Sequence, residues 1–117
     1  MDPDLGIVCD QQGAQSHVSL SGRITIDSSP DVRLALLQRL GSPDCQSLTL
    51  DLCGVSYIDT SGLAILLEIL KAARTQGKTF YISGLRERPR YLLETTRLLP
   101  LFTEVSRQTS SSPESQL

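Results

Sequence analysis

Residues 51–70 read DLCGVSYIDTSGLAILLEIL, and the fold turns on this stretch. Upstream of it Leu48, Leu50 and Leu52 alternate with Ser47, Thr49 and Asp51, the period of a strand with one buried face, and Val55 to Ile58 is a second extended piece. Both are expected to be central strands. Asp59-Thr60-Ser61-Gly62 follows, and beyond it Leu63, Leu66, Leu67, Leu70 and Ala73 recur at helical spacing, a stripe that would pack on a sheet until Gly77 closes the helix. A hydroxyl therefore stands at a helix mouth. Unpaired N–H groups and the positive end of the dipole meet there, so the residue is either a cap or a seat for an anion.

Working outward, residues 5–10 and 17–20 read as a hairpin joined through Gln11-Gln12-Gly13. Ser21-Gly22 is expected to break that run, leaving Ile24 and Ile26 to alternate in a short extended piece. Asp27-Ser28-Ser29-Pro30 offers capping hydroxyls and a proline suited to a first helical turn. Val32, Ala35, Leu36 and Leu40 form the apolar set of that helix, and Gly41-Ser42-Pro43 ends it. Residues 79–82 make another strand, Gly84 a break, Pro89 the first turn of a third helix reaching about Leu98, and residues 102–105 a last edge element. Strands alternating with helices of this length imply parallel pairing through crossover helices, and the antiparallel start makes the sheet mixed. The expectation is an α/β domain over residues 1–105. Residues 106–117, SRQTSSSPESQL, bury too little to offset the cost of ordering and read as a disordered tail.

Composition narrows the function. At 117 residues and 39% apolar content the chain supports one core. Its formal charge of −2, without a basic face carrying interleaved aromatics, argues against nucleic acid. No run approaches the roughly 20 apolar residues of a membrane span, and the start, MDPDLGIVCD, is acidic where a signal peptide is basic, so a cytoplasmic protein without direct membrane insertion is expected. Cys9, Cys45 and Cys53 are odd in number and lack CxxC spacing, which reads as reduced thiols rather than a metal or redox centre. His17 has no candidate ligand or nucleophile beside it.

A Ser at a strand-to-helix turn invites a hydrolase reading, which fails on its parts. There is no GxSxG elbow around Ser61, and the one imidazole, His17, belongs to the leading hairpin. GxxxxGK[ST] and GxGxxG are absent as well, so no catalytic residue, cofactor or metal is assigned. Asp59, Thr60 and Ser61 are all preferred capping residues, each cap contributing about 1 kcal/mol, and one cap accounts for only one of the three. Asp51 and Asp59 read as polar rim residues rather than a metal or acid/base pair, and Arg86, Arg88 and Arg90 as a solvated loop rather than an anion site for a nucleotide or a phosphoserine of another chain. On the second helix Ile65 and Ile69 stand at i, i+4 on a different side from the leucine stripe, with Glu68 between them. They are expected to be partly exposed, an apolar strip for docking a partner.

These pieces resemble the STAS domain, the family of bacterial anti-sigma factor antagonists and of modules in sulfate transporters, from residue 18 to about 105. The resemblance rests on Leu20-Ser21-Gly22-Arg23-Ile24, Leu50-Asp51-Leu52 with Val55, Ile58-Asp59-Thr60-Ser61-Gly62-Leu63, Gly77-Lys78, and LPLF at 99–102. It implies a mixed four- to five-stranded sheet with three to four helices, and regulation read through protein partners. In antagonists of the family the Ser or Thr of the Asp-x-Ser/Thr-Gly turn is phosphorylated by an anti-sigma factor serine kinase of histidine-kinase-like ATPase fold. That maps onto Ser61, with Thr60 the weaker candidate, and makes Asp59, Thr60, Ser61 and Gly62 partner-binding residues. Phosphorylation would add about −1.5 to −2 charges at one spot, so a non-catalytic switch is implied. Two alternatives stay open: a cytosolic STAS accessory subunit of a membrane (lipid) transporter, and a small-ligand-binding STAS module. The lack of a Gly-rich loop and the 4% aromatic content count against a nucleotide in the latter.

Overall fold

The computed structural model describes residues 5–106. They run in the order β1 (Gly6–Gln12), β2 (Gln15–Ile24), α1 (Ser29–Leu40), β3 (Ser47–Ile58), α2 (Thr60–Thr75), β4 (Thr79–Ser83), α3 (Glu87–Thr95), a short 3₁₀ turn (Leu99–Leu101) and β5 (Thr103–Val105). The strands form one five-stranded sheet in sequence order, β1 antiparallel to β2 and every later pair parallel. This is the mixed α/β architecture that the alternation of strands and helices implies. Of the segment expected to be a tail, 106–117, all but Ser106 lies outside the described residues.

The strands are longer than the turn residues suggest. The hairpin reverses at Gly13-Ala14, not through Gln11-Gln12, and Ser21-Gly22 does not end β2. The strand passes through both residues, with register shifts against β3 between Ser19 and Ser21 and between Gly22 and Arg23. At each shift β3 carries one residue more than β2, so bulges on β3 keep the two strands paired where a break was expected. Opposite it, the two pieces expected on either side of Cys53-Gly54 form one twelve-residue strand. Gly54 permits this because a Cβ there would come within 2.8 Å of the Ser21 side chain and 2.9 Å of the Leu20 carbonyl oxygen. Ile26 lies past the end of β2, in a turn.

One hydrophobic core fills the helical side of the sheet. Val18, Leu20 and Ile24 of β2, Leu48, Leu50 and Leu52 of β3, and Phe80 and Ile82 of β4 face Val32, Leu36 and Leu40 of α1 and the buried residues of α2. Here the docking expectation for α2 is corrected: Ile65 is 8% exposed and Ile69 is fully buried. The helix packs on β3 and β4 and also against α1, so it is covered on two sides and its apolar face is wider than one stripe. Leu67, assigned to the stripe, is only half-buried. At the rim of the α1–α2 seam Arg33 pairs with Glu68 at 2.7 Å.

Both later helix ends follow the Schellman pattern. At the end of α2 the Lys78 N–H donates to Ala73 at 2.8 Å and the Gly77 N–H to Arg74 at 3.1 Å, with Gly77 at φ +68°. At the end of α3 the Leu98 N–H donates to Leu93 and the Arg97 N–H to Glu94, with Arg97 itself at φ +61°. That left-handed residue stops α3 at Thr95, short of the expected Leu98.

Candidate functional site

The C-terminal ends of β2 and β3 and the start of α2 converge on Asp59. Its backbone is extended, φ −99° and ψ −172°, the conformation of an N-cap, and its N–H donates to the Ile24 carbonyl at 3.1 Å. Oδ1 accepts the N–H of Ser61 at 2.9 Å, the N–H of Gly62 at 3.2 Å and the Ser61 hydroxyl at 2.5 Å. Oδ2 accepts the N–H of Ile26 at 3.2 Å. Partial burial pushes the Asp59 carboxyl upward. The Ser61 hydroxyl and the N–H groups of Gly62, Ser61 and Ile26 outweigh it and hold the group below the usual carboxylate range.

The cap is therefore Asp59, and the two hydroxyls after it are spared that task. Thr60 is exposed and Ser61 half-buried, both in the first turn of α2. The Ser61 hydroxyl donates to Asp59, which fixes the orientation of its oxygen at the mouth of α2. Gly62 fits because of what lies beneath it. A Cβ would fall 2.7 Å from the Ile58 side chain and 2.8 Å from that of Ile24, both β-branched and stiff. Without a side chain the first turn of α2 sits directly on the ends of β2 and β3.

The loop carrying Ile26 is built by Ser28. Fully buried, this serine donates its hydroxyl to the Arg23 carbonyl at 2.9 Å and accepts the Thr25 N–H at 2.9 Å. Although it is the N-cap residue of α1, it makes no side-chain cap bond. The result is an isoleucine side chain 72% exposed, beside Asp59 and Ser61.

On the other side of the turn stands Tyr57, half-buried at the end of β3. Arg23, its register partner on β2, holds its guanidinium carbon 4.8 Å from the ring centroid, and Arg88 from the first turn of α3 comes to 5.5 Å. Between residues 57–60 and α3 runs a cleft of about 640 Å³, lined by Tyr57, Ile58, Asp59 and Thr60 on one side and by Glu87, Arg88, Tyr91, Leu92 and Thr95 of α3 on the other.

Of the residues expected at the site, Asp59, Thr60, Ser61 and Gly62 come together and Ile65 and Ile69 do not. Asp51 stands apart as well. It sits within β3, buried, accepting the Cys53 N–H at 2.9 Å, eight positions from Asp59 along an extended chain and so roughly 25 Å away. The three arginines Arg86, Arg88 and Arg90 do not form one solvated loop: Arg88 and Arg90 lie in the first turn of α3, where Arg90 pairs with Glu104 and Arg88 rests on Tyr57. Among the described residues no group of three or more His, Cys, Asp or Glu could hold a metal ion, and no helix is long and apolar enough to cross a membrane. Ile26 and Tyr57 are the site residues that sequence reading missed, and Arg88 was visible only as one of three neighbouring arginines. Arg23-Ile24 was visible as part of a motif, but its neighbour across the sheet was not.

Residues 7–101 match the family model described as Mlab, STAS domain. Among curated proteins the chain is similar to the anti-sigma-B factor antagonist of Staphylococcus epidermidis, 30% identical over 88 residues, which is 74% of this chain and 79% of that protein. Among solved structures it is similar to an anti-sigma factor antagonist from Mycobacterium paratuberculosis, with a TM-score of 0.78, 21% identity, and 97% and 95% of the two chains covered. It is likewise similar in fold to the Bacillus cell fate determinant SpoIIAA in its phosphorylated form, with a TM-score of 0.71, 10% identity, and 94% and 98% covered.

Proposed function

The chain belongs to the STAS domain family, and on that premise we propose that it is an anti-sigma factor antagonist: unphosphorylated, it binds an anti-sigma factor that is also a serine kinase, and phosphorylation of Ser61 ends the binding. The protein is a non-catalytic switch in this reading, and the phosphoryl donor is ATP held by the partner. The observation that carries it is the Ser61 hydroxyl, half-buried at the mouth of α2 and hydrogen-bonded to the carboxylate of Asp59.

Physical chemistry supports both halves of the cycle. Before transfer, Asp59 accepts the hydrogen bond of the Ser61 hydroxyl and orients its oxygen. In transfer that oxygen bonds the γ-phosphorus of the partner's ATP as the bond to ADP breaks, the hydroxyl proton passes to solvent with ADP as the leaving group, and a phosphate of about −1.5 to −2 charges then stands beside a carboxylate already bound to Ser61, Gly62 and Ile26. The phosphate and Asp59 then compete for the same N–H groups. The helix N-terminus stabilises either anion, so the fold survives, while the Ile26 loop, tied to Asp59 through one hydrogen bond, is the element set to shift. A partner seated on exposed Ile26 and Thr60 and half-buried Ser61 meets a changed surface and a new dianion.

Intact-protein mass spectrometry after incubation with ATP and the candidate kinase tests this. One added phosphate is expected on the natural chain and on Thr60→Ala, and none on Ser61→Ala. A phosphate that persists in Ser61→Ala and vanishes in Thr60→Ala moves the switch to Thr60, and no phosphate on any of the three overturns the reading.

A further inference from the structure

The two edges of the sheet are unlike. β5 is three residues long and its Glu104 pairs with Arg90, the short, charged form in which an exposed edge resists further pairing. β1 is seven residues long, GIVCDQQ, with no proline, lysine or arginine and no bulge in its register against β2. It ends the strand order, and no described strand pairs with its outer side. Val8, Cys9 and Asp10 are exposed, the valine at 65%.

The hairpin decides which backbone groups that outer side presents. Gly13-Ala14 is a two-residue loop, so Gln12 and Gln15 exchange both their hydrogen bonds. Alternation along the unbroken antiparallel ladder then turns the N–H and C=O of Asp10, Val8 and Gly6 inward to β2, and those of Gln11, Cys9 and Ile7 outward. The outward set is symmetric about Cys9.

We propose that β1 pairs antiparallel with β1 of a second copy of this chain in the register centred on Cys9, with Cys9 opposite Cys9 and Ile7 opposite Gln11, across a twofold axis normal to the sheet. Each of these pairs exchanges two hydrogen bonds, so every outward group of the strand is satisfied. Val8 then stands opposite Asp10 of the second copy, and no like charges meet. A register centred on Asp10 sets two carboxylates against each other, and one centred on Val8 places Gln11 opposite Leu5, outside the strand. The axis puts α1 and α2 of both copies on the same face of one continuous sheet and the two Ser61 turns at its opposite ends. Each switch stays open to its own partner. The inference goes beyond the reading above and does not rest on it. A strand edge is a small interface, so the dimer is weak, with a Kd on the order of 100 μM.

Sedimentation equilibrium of the full, reduced chain at concentrations up to about 1 mM tests the dimer, and charge at position 8 tests its register. Val8→Asp sets a carboxylate opposite Asp10 twice over and is expected to weaken the dimer about tenfold, whereas Val8→Lys sets a cation there and is expected to associate at least as tightly as the natural chain. Both replacements fall at an exposed position, so the fold is retained. Cys9 supplies a second readout. Residues opposite each other in a hydrogen-bonded pair have Cα atoms about 5.5 Å apart, within reach of a disulfide. Two Cys9 thiols pass two electrons and two protons to oxidised glutathione, which leaves as two molecules of the reduced form, and the covalent dimer is expected in the natural chain and absent in Cys9→Ser. A chain that stays monomeric at about 1 mM, equal association in Val8→Asp, weakening by Val8→Lys, or a covalent dimer that persists in Cys9→Ser would each overturn the proposal. No kinase enters the experiment, so its failure is separate from any failure of phosphorylation at Ser61.

Discussion

Asp59 and Ile26 are 33 residues apart and are joined by a hydrogen bond of 3.2 Å from the Ile26 N–H to Oδ2. The same carboxylate, through Oδ1, caps α2 and accepts the Ser61 hydroxyl. One side chain thus couples the start of a helix, a candidate phosphorylation site and an exposed apolar loop. A change at any of the three is felt by the others, which is what a switch built from few parts requires.

Removing that side chain separates cap from coupling. Asp59→Ala is expected to lower stability by about 1–2 kcal/mol, the upper part of the range for a lost N-cap because the loop tie goes with it. Asp59→Asn, which keeps an acceptor oxygen, should lose less. Denaturant unfolding gives the stabilities, and hydrogen exchange should show the Ile26 amide opening faster in both variants. An unchanged Ile26 amide would sink the coupling.

The pH dependence follows from the direction in which Asp59 is shifted. Its carboxyl lies below the usual range in the folded chain, so the folded state favours the ionised form. The stability this contributes is fully present above the unfolded value, near pH 4, and is lost as pH falls through the lower folded value. The stability gap between the natural chain and Asp59→Asn should therefore be constant above about pH 5 and shrink below pH 4. Phosphorylation of Ser61 removes the hydroxyl donor and adds a neighbouring dianion, which must move the Asp59 titration upward. Carboxyl-carbon NMR on the two forms reads it directly, and a downward move would contradict the geometry.

Ile69 and Ile26 exchange the roles their sequence positions suggest. Ile69→Ala should cost about 2–5 kcal/mol by opening a cavity between the sheet, α1 and α2. Ile26→Ala, at a 72% exposed position, should stay within about 0.5 kcal/mol and weaken partner binding instead. Thermal unfolding and a pull-down with the kinase partner separate the two. A stable Ile69→Ala chain that no longer binds would restore the docking strip to α2.

What the sequence made legible was whatever depends on short range. The alternation in β3, the stripe of α2, the glycine closing that helix and the Asp-Thr-Ser-Gly turn at its mouth are all set within a few residues. The errors arise where a distant element decides. Ile65 and Ile69 are buried because α2 packs against α1 as well as on the sheet, a fact no spacing within α2 contains. Ser21-Gly22 continues a strand because Gly54 on β3 leaves room for it. Tyr57 reads as one more strand residue until β2 delivers Arg23 to one side and α3 brings Arg88.

Lys78 is another case of distance deciding. Its ammonium donates to the Leu40 carbonyl at 2.5 Å and the Ser42 carbonyl at 3.0 Å, satisfying groups at the C-terminal end of α1 that the helix itself cannot. A cation at that end also complements the helix dipole. Lys78→Met, which keeps the stem and removes the charge, should destabilise by about 1–3 kcal/mol and speed exchange in the last turn of α1. Protection there equal to that of the natural chain would show that the carbonyls find water at no cost.

Arg97 offers a gain in stability. It holds φ +61° as the left-handed residue that closes α3, a position where a Cβ costs about 1–2 kcal/mol and glycine costs none. Its side chain is exposed, so little packing is lost on removal. Glycine also loosens the unfolded chain by about 0.4–1 kcal/mol, which offsets part of the relief. The balance favours Arg97→Gly by roughly 0.5–1 kcal/mol, read as a higher unfolding midpoint with an unchanged denaturant slope. Because α3 carries Arg88, Tyr91 and Leu92, a firmer end to the helix should leave the cleft intact, with the amide signals of those residues unchanged. A lower midpoint would mean that the arginine side chain contributes more than its backbone strain costs.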